Sequence, residues 1–175
     1  MKPQEMNTKI DKEASQYSEK VVAVDRVARV VKGGRRFRFR ALVVVGDMKG
    51  TVGVGLAKGA DVTAAVSKAT DVAKKNMHKI VTVNGTIPHD TYAKVTGSKI
   101  LIKPAAPGTG LIAGGVVRTL LEAAGIHNAL SKSLGSSNKV NTAYATMDAL
   151  RALEAREKWT TTKLAPAKKV KKESK

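Results

Sequence analysis

The stretch Lys32-Gly33-Gly34-Arg35-Arg36-Phe37-Arg38-Phe39-Arg40-Ala41-Leu42-Val43-Val44-Val45 decides how the first half of the chain is read. Residues 21–31, just before it, are dominated by valine. Two β-favouring runs around a Gly-Gly pair predict a hairpin, with both glycines at positive φ in the turn. Side chains alternate across a strand, so Arg36, Arg38 and Arg40 fall on one face and Phe37, Phe39, Ala41 and Val43 on the other. One face is electrostatic and the other is core. Guanidinium groups meet phosphate oxygens in bidentate pairs, so three on one strand face beside a basic turn suit a phosphate backbone. Such a row could instead protect an edge strand from pairing, but that role usually falls to Lys, and so basic a chain favours binding. Phe37 and Phe39 alternate as a buried face should, which favours core packing over base stacking.

The whole chain of 175 residues carries 32 Lys and Arg against 14 Asp and Glu, a net charge of +18. A charge this large is normally held by a polyanion, and nucleic acid is a better candidate than a membrane surface. The charge is not spread evenly. Residues 20–40 contain eight cations (Lys20, Arg26, Arg29, Lys32, Arg35, Arg36, Arg38, Arg40) against Asp25, a net of +7. Residues 163–175 contain six Lys against Glu173, a net of +5, with Pro166 and no apolar periodicity. That end reads as a disordered tail, from about residue 159, and residues 1–19 as an N-terminal extension.

Hydrophobic residues make up 42% and aromatics only 3%, so the core is aliphatic. The absence of Cys excludes disulfides, thiolate metal sites and cysteine nucleophiles. His78, His89 and His127 have no metal-ligand spacing. The N-terminus lacks the apolar run of a secretory signal and no apolar run is long enough to span a bilayer, so a soluble cytoplasmic protein with no membrane partner is expected.

Downstream, residues 51–58 read as a third strand weakened by glycine. Asp61 is a candidate N-cap, and Val62, Ala65, Val66, Ala69, Val72 and Ala73 recur at helical spacing to about residue 77. Residues 20–82 thus form a β-meander closed by an amphipathic helix. A different pattern follows, in a second domain expected over residues 83–158. A strand at 80–83 leads into it through a turn at Asn84-Gly85, followed by a loop or edge strand at 86–93 and a strand at 98–103. A helix from about 116 to 124 stopped by Gly125, a strand at 127–132 and a last helix to about 158 complete a βαβα-type domain. The fold class is α+β with two small domains.

The glycine bends are candidate nucleotide sites. Gly53, Gly55 and Gly59 miss the dinucleotide spacing and lie on a strand. Gly108, Gly110 and Ala113 fit a relaxed G-x-G-x-x-A between strand and helix, but no acidic residue follows at the distance that would hold a ribose, and no Walker lysine is present. Tight backbone packing or a contact surface is the better reading. No nucleophile elbow or acid–base pair is found, so the chain is not expected to be an enzyme and no cofactor or metal is assigned.

Taken together, Lys32-Gly33-Gly34-Arg35, Phe37-Arg38-Phe39, Val45-Gly46-Asp47, Gly50-Thr51-Val52-Gly53-Val54-Gly55 and Ala57-Lys58 closely resemble the small-subunit ribosomal protein five family. Later motifs agree: Asn84-Gly85-Thr86, Pro104-Ala105, Gly108-Thr109-Gly110, Ile112-Ala113-Gly114-Gly115, Ala124-Gly125-Ile126-His127-Asn128 and Gly135-Ser136-Ser137-Asn138. The resemblance covers about residues 20–153, and its compact spacing looks bacterial. It implies a first domain related to the double-stranded-RNA-binding fold, which reads shape and backbone. It also implies a second domain with a left-handed crossover that pattern reading would not give. The implied role is structural, in the small ribosomal subunit near decoding and messenger RNA entry, with an influence on accuracy. The implied partners are ribosomal RNA and ribosomal proteins four and eight, with no homo-oligomer expected. The expected RNA-binding set is Arg26, Arg29, Lys32, Gly33, Gly34, Arg35, Arg36, Arg38, Arg40 and Lys58. The expected protein-contact set, facing protein four, is Gly108, Thr109, Gly110 and Arg118. Arg36 and Arg38 stand where many relatives carry apolar or small polar residues, and the Lys-rich end is not part of the shared pattern.

Overall fold

The computed structural model describes residues 17–155 and Trp159. Most of the N-terminal extension, the last expected helical turn at 156–158 and the Lys-rich tail lie outside the described residues. The first sheet has the order β1-β2-β3-β4, made of Ser18–Val31, Gly34–Gly46, Thr51–Gly59 and the two-residue His78–Lys79, all antiparallel. Helix α1, Val62–Lys75, follows β3.

Both faces of this sheet are covered at one end. Ala41, Val43 and Val45 of β2 pack with Ala57 against Ala65, Ala69 and Ala73 of α1. Leu42 and Val44, pointing the other way, join Val52 and Val54 in a larger cluster with Val117, Leu120, Leu121 and Ala124 of the second domain. Two-sided burial explains why β2 ends in a continuous Ala-Leu-Val-Val-Val run rather than an alternating one. The glycines of β3 belong to this packing. Gly53, Gly55 and Gly59 sit with Ala57 on the α1 face, and a Cβ at any of the three glycines would strike the backbone of α1 at Ala65, Ala69 or Ala73. Glycine against alanine lets helix and sheet approach closely, so the strand expected to be weak is tightly packed.

The second sheet has the order β5-β6-β8-β7, from Thr91–Val95, Ser98–Pro104, Ala129–Ser133 and Leu111–Ile112. Helix α2, Gly115–Ala123, connects β7 to β8, which pair in parallel. Helix α3, Lys139–Arg151, is capped by the Asn138 side chain, which accepts from the Val140 N–H at 3.1 Å. The domain therefore begins with a β5–β6 hairpin and adds β7 to the expected βαβα pattern. The strand expected at 80–83 does not form. Ile80 and Ile87 are buried between the domains instead, and Val83 pairs only with Thr86 across the Asn84-Gly85 turn. The last helix ends at Arg151, short of 158, because Leu153 turns back into the core at 6% exposure.

The domains are joined through the β2–β3 turn. The Met48 and Gly50 N–H groups donate to the Ala123 and Ala124 carbonyls at 3.0 Å each, satisfying acceptors that the C-terminus of α2 would leave open. Asp47 shapes the turn by accepting from the Lys49 and Thr51 N–H groups, both at 2.8 Å. Burial alone would raise the Asp47 pKa, but these hydrogen bonds, with that of the Thr51 side chain, outweigh it and hold the carboxyl below its usual 3.8. Lys20 and Glu122 add an ion pair at 2.6 Å between the domains.

Candidate nucleic-acid interface

Strand β3 pairs with β2 only as far as Phe39–Gly59. Beyond that point β1 and β2 continue as a two-stranded ribbon, and the five residues 34–38 extend it by about 17 Å at the rise of an antiparallel strand. The ribbon's turn is Lys32-Gly33, closed by the Val31–Gly34 pair. Gly33 and Gly34 both have positive φ, +89° and +153°, as expected, but the two turn residues are Lys32 and Gly33 rather than Gly33 and Gly34, with consequences for every cross-strand partner. A Gly-Gly turn would set Val27 opposite Arg40, whereas the observed register sets Asp25 there, Val27 opposite Arg38 and Arg29 opposite Arg36.

The face of the sheet that carries Leu42, Val44, Val54 and Leu56 under the second domain becomes basic as it emerges from that cover. Arg40 comes first and is neutralised, its Nη2 and Nε both donating to Asp25 Oδ2 at 2.7 and 3.3 Å. Arg29, Arg36, Arg38 and, from β3, Lys58 follow. All four are exposed and line a groove of about 360 Å³ with Val27 and Val31 between them. None of the four is ion-paired among the described residues. Three strands thus contribute four unpaired cations to one concave surface, which matches the spaced negative charge of a nucleic-acid backbone.

The other predicted residues lie elsewhere. Lys32, Gly33 and Gly34 form the tip. Arg26 and Arg35 are on the opposite face, across from Phe39 and Val30. The Arg26 guanidinium stacks 3.7 Å from the centre of the Phe37 ring, a cation–π contact that holds both side chains. Phe37 is accordingly 49% exposed rather than core, while Phe39 packs partly against the α1 cluster as expected. The signal for the Arg40–Asp25 pair is present in the sequence once the turn is placed at Lys32-Gly33.

At the other candidate surface, the Gly108 and Gly110 N–H groups both donate to Asn128 Oδ1, at 3.1 and 3.0 Å, and the Thr109 N–H donates to the Ala106 carbonyl at 3.2 Å. The backbone donors that a dinucleotide site would offer to phosphate are thus used internally. Both glycines have positive φ, +91° and +74°, and a Cβ at either would meet nothing within 4 Å. Backbone conformation, not tight packing, requires glycine here. Arg118, exposed on α2, donates to the Leu111 carbonyl at 3.2 Å and so holds β7 beside the bend.

Two family models match the chain along its length, "Ribosomal protein S5, N-terminal domain" over residues 17–81 and "Ribosomal protein S5, C-terminal domain" over residues 93–163. The chain belongs to the ribosomal protein S5 family. As a member of that family it is a structural, RNA-binding protein of the small ribosomal subunit, not an enzyme, and its partners are small-subunit ribosomal RNA and ribosomal proteins. The S5 N-terminal match contains the whole basic ribbon, and the C-terminal match contains the glycine bend and Arg118. Among the described residues no helix is long and apolar enough to cross a membrane.

Proposed function

We propose that the chain holds small-subunit ribosomal RNA through the groove of Arg29, Arg36, Arg38 and Lys58, with Lys32 at the ribbon tip reaching further along the backbone. The convergence of four unpaired cations from three strands on one face supports this most directly. Arg40 plays a supporting part, since Asp25 already meets its charge, and Arg26 and Arg35 serve the opposite face. In this reading the domains divide at residues 82 and 83. The bend at Gly108, Thr109 and Gly110, with Arg118, faces ribosomal protein four, and protein eight is the second protein neighbour. The position is near messenger RNA entry in the cytoplasmic small subunit, where the protein supports assembly and decoding accuracy.

A competition titration tests the RNA assignment. A small-subunit ribosomal RNA fragment should displace duplex DNA of equal length from the protein, and replacing Arg29, Arg36 and Arg38 by Gln should abolish that preference while Arg26→Gln with Arg35→Gln preserves it. Equal affinity for both nucleic acids in the unaltered protein would instead indicate a general polyanion binder.

A further inference from the structure

Among the described residues, no element of the fold covers one face of the second sheet. Helix α3 packs against its other side, where Ile100 and Ile102 are fully buried with Ala143 and Met147. The register arranges the open face in three rows. Lys94 lies opposite Lys99, Tyr92 beside Leu101 and Lys132, and Lys103 beside Leu130 and Ile112. All four lysines are exposed, Tyr92 is 54% and Ile112 57% exposed, and a shallow hollow of about 130 Å³ lies between the last two rows. Strands β5 to β8 contain no Asp or Glu, and none of these lysines is ion-paired among the described residues.

We propose that this face is a second RNA surface, taking a single-stranded segment whose phosphates meet the four lysines while one base stacks on Tyr92. The proposal rests on the RNA-binding role of the family but not on the basic ribbon. Charge complementarity supports it. A sheet face with four cations and no anion is matched by a partner of dense negative charge, and lysine is depleted from the centres of protein–protein interfaces. An exposed aromatic ring amid aliphatic side chains on an open four-stranded sheet is also how single strands are held, because unpaired bases present a free face for stacking. Duplex RNA would offer phosphates but no base to Tyr92.

The test uses the full chain with Arg29, Arg36, Arg38 and Lys58 all replaced by Gln, so that the groove and the sheet are read separately, and a short fluorescein-labelled oligouridylate followed by anisotropy. In that background Tyr92→Ala should weaken binding about 5- to 100-fold and Tyr92→Phe should leave it within about twofold. Replacing Lys94, Lys99, Lys103 and Lys132 by Gln should make the dependence of log K on log salt shallower by about 3, from about 0.7 per phosphate on a single strand. Every altered side chain is solvent-facing, so the unfolding midpoint should stay within a few degrees of the parent. No oligouridylate binding in the groove-neutralised protein, or binding indifferent to Tyr92 and the lysines, would overturn the proposal. Equal competition by polyglutamate would overturn it too, since the face would then be made for an acidic protein.

Discussion

Replacing Gly55 by Ala tests how the first sheet carries its helix. A Cβ at position 55 would lie 2.6 Å from the Ala73 nitrogen and closer still to the Ala69 carbonyl oxygen, against ordinary contacts of 3.4–4 Å. Both obstacles are helix backbone, so α1 must lift by roughly 1 Å, and a gap of that size forfeits about a quarter to a half of each contact's attraction. The helix core face is alanine at 65, 69 and 73, all fully buried, with no long side chain to bridge the gap. Overpacking costs about 1–3 kcal/mol in cores that can adjust, and this site belongs at the upper end, about 3 kcal/mol. Two other glycines separate sterics from backbone preference. Gly108→Ala has open space but φ +91° and should cost about 1–2 kcal/mol. Gly115→Ala has open space at the first turn of α2 and should be neutral or stabilising by up to about 1 kcal/mol. Equilibrium urea unfolding followed by circular dichroism gives the ranking, and in thermal melts the Gly55→Ala midpoint should fall about 6–12 °C below the parent. A Gly55→Ala protein as stable as Gly115→Ala would show that β3 and α1 are not closely packed, and the reasoning would fail.

Three further outcomes follow from the packing. Because the Asp47 carboxyl is held below its usual value, it contributes stability above about pH 4 that is lost as the pH falls through its folded-state pKa. Asp47→Ala should therefore lower stability by about 1–2 kcal/mol at pH 7 and by nearly nothing at the acid end of a urea-versus-pH series. Leu120→Ala, at a fully buried site shared by both domains, should cost about 2–5 kcal/mol and lower the amide-exchange protection of Val44 and Ile102 alike, whereas loss confined to the second sheet would argue for independent cores. Thr91 is 7% exposed and its hydroxyl has no partner among the described residues, so Thr91→Val should raise thermal stability by about 1 kcal/mol, and a loss would mean the hydroxyl is bonded in solution.

Much of this is legible in the chain because its signals are local. The valine runs and alternating arginines give β1, β2 and the side on which each arginine falls, and the alanine stripe gives α1. What the sequence hides depends on partners distant along the chain. The turn shifts by one residue, from Gly33-Gly34 to Lys32-Gly33, without changing any side chain's face, yet it exchanges Val27 for Asp25 opposite Arg40 and so removes one cation from the groove. Phe37 alternates like a core residue, but its position beyond the end of β3 leaves nothing to bury it except Arg26. The glycines at 53, 55 and 59 look like weak points, since the alanines that they face lie on an element whose placement only the folded sheet reveals. Ile80 has a strand's composition, but the demand for apolar filling between two domains outweighs two more ladder pairs. The family resemblance gives the order of the domains and the role, and the structure sorts its ten-residue RNA set into a groove, a tip, an opposite face and, for Arg40, an ion pair with Asp25.

The salt dependence of binding to a small-subunit ribosomal RNA fragment is the most direct test of the groove. Replacing Arg29, Arg36, Arg38 and Lys58 together by Gln should make the slope of log K against log salt shallower by about 3, at about 0.7–0.9 for each phosphate that the groove would no longer neutralise. Replacing Arg26 and Arg35 on the opposite face should leave the slope nearly unchanged. If the opposite-face pair shifts the slope as far as the groove set does, or the groove set shifts it not at all, the ribbon does not grip RNA by this face.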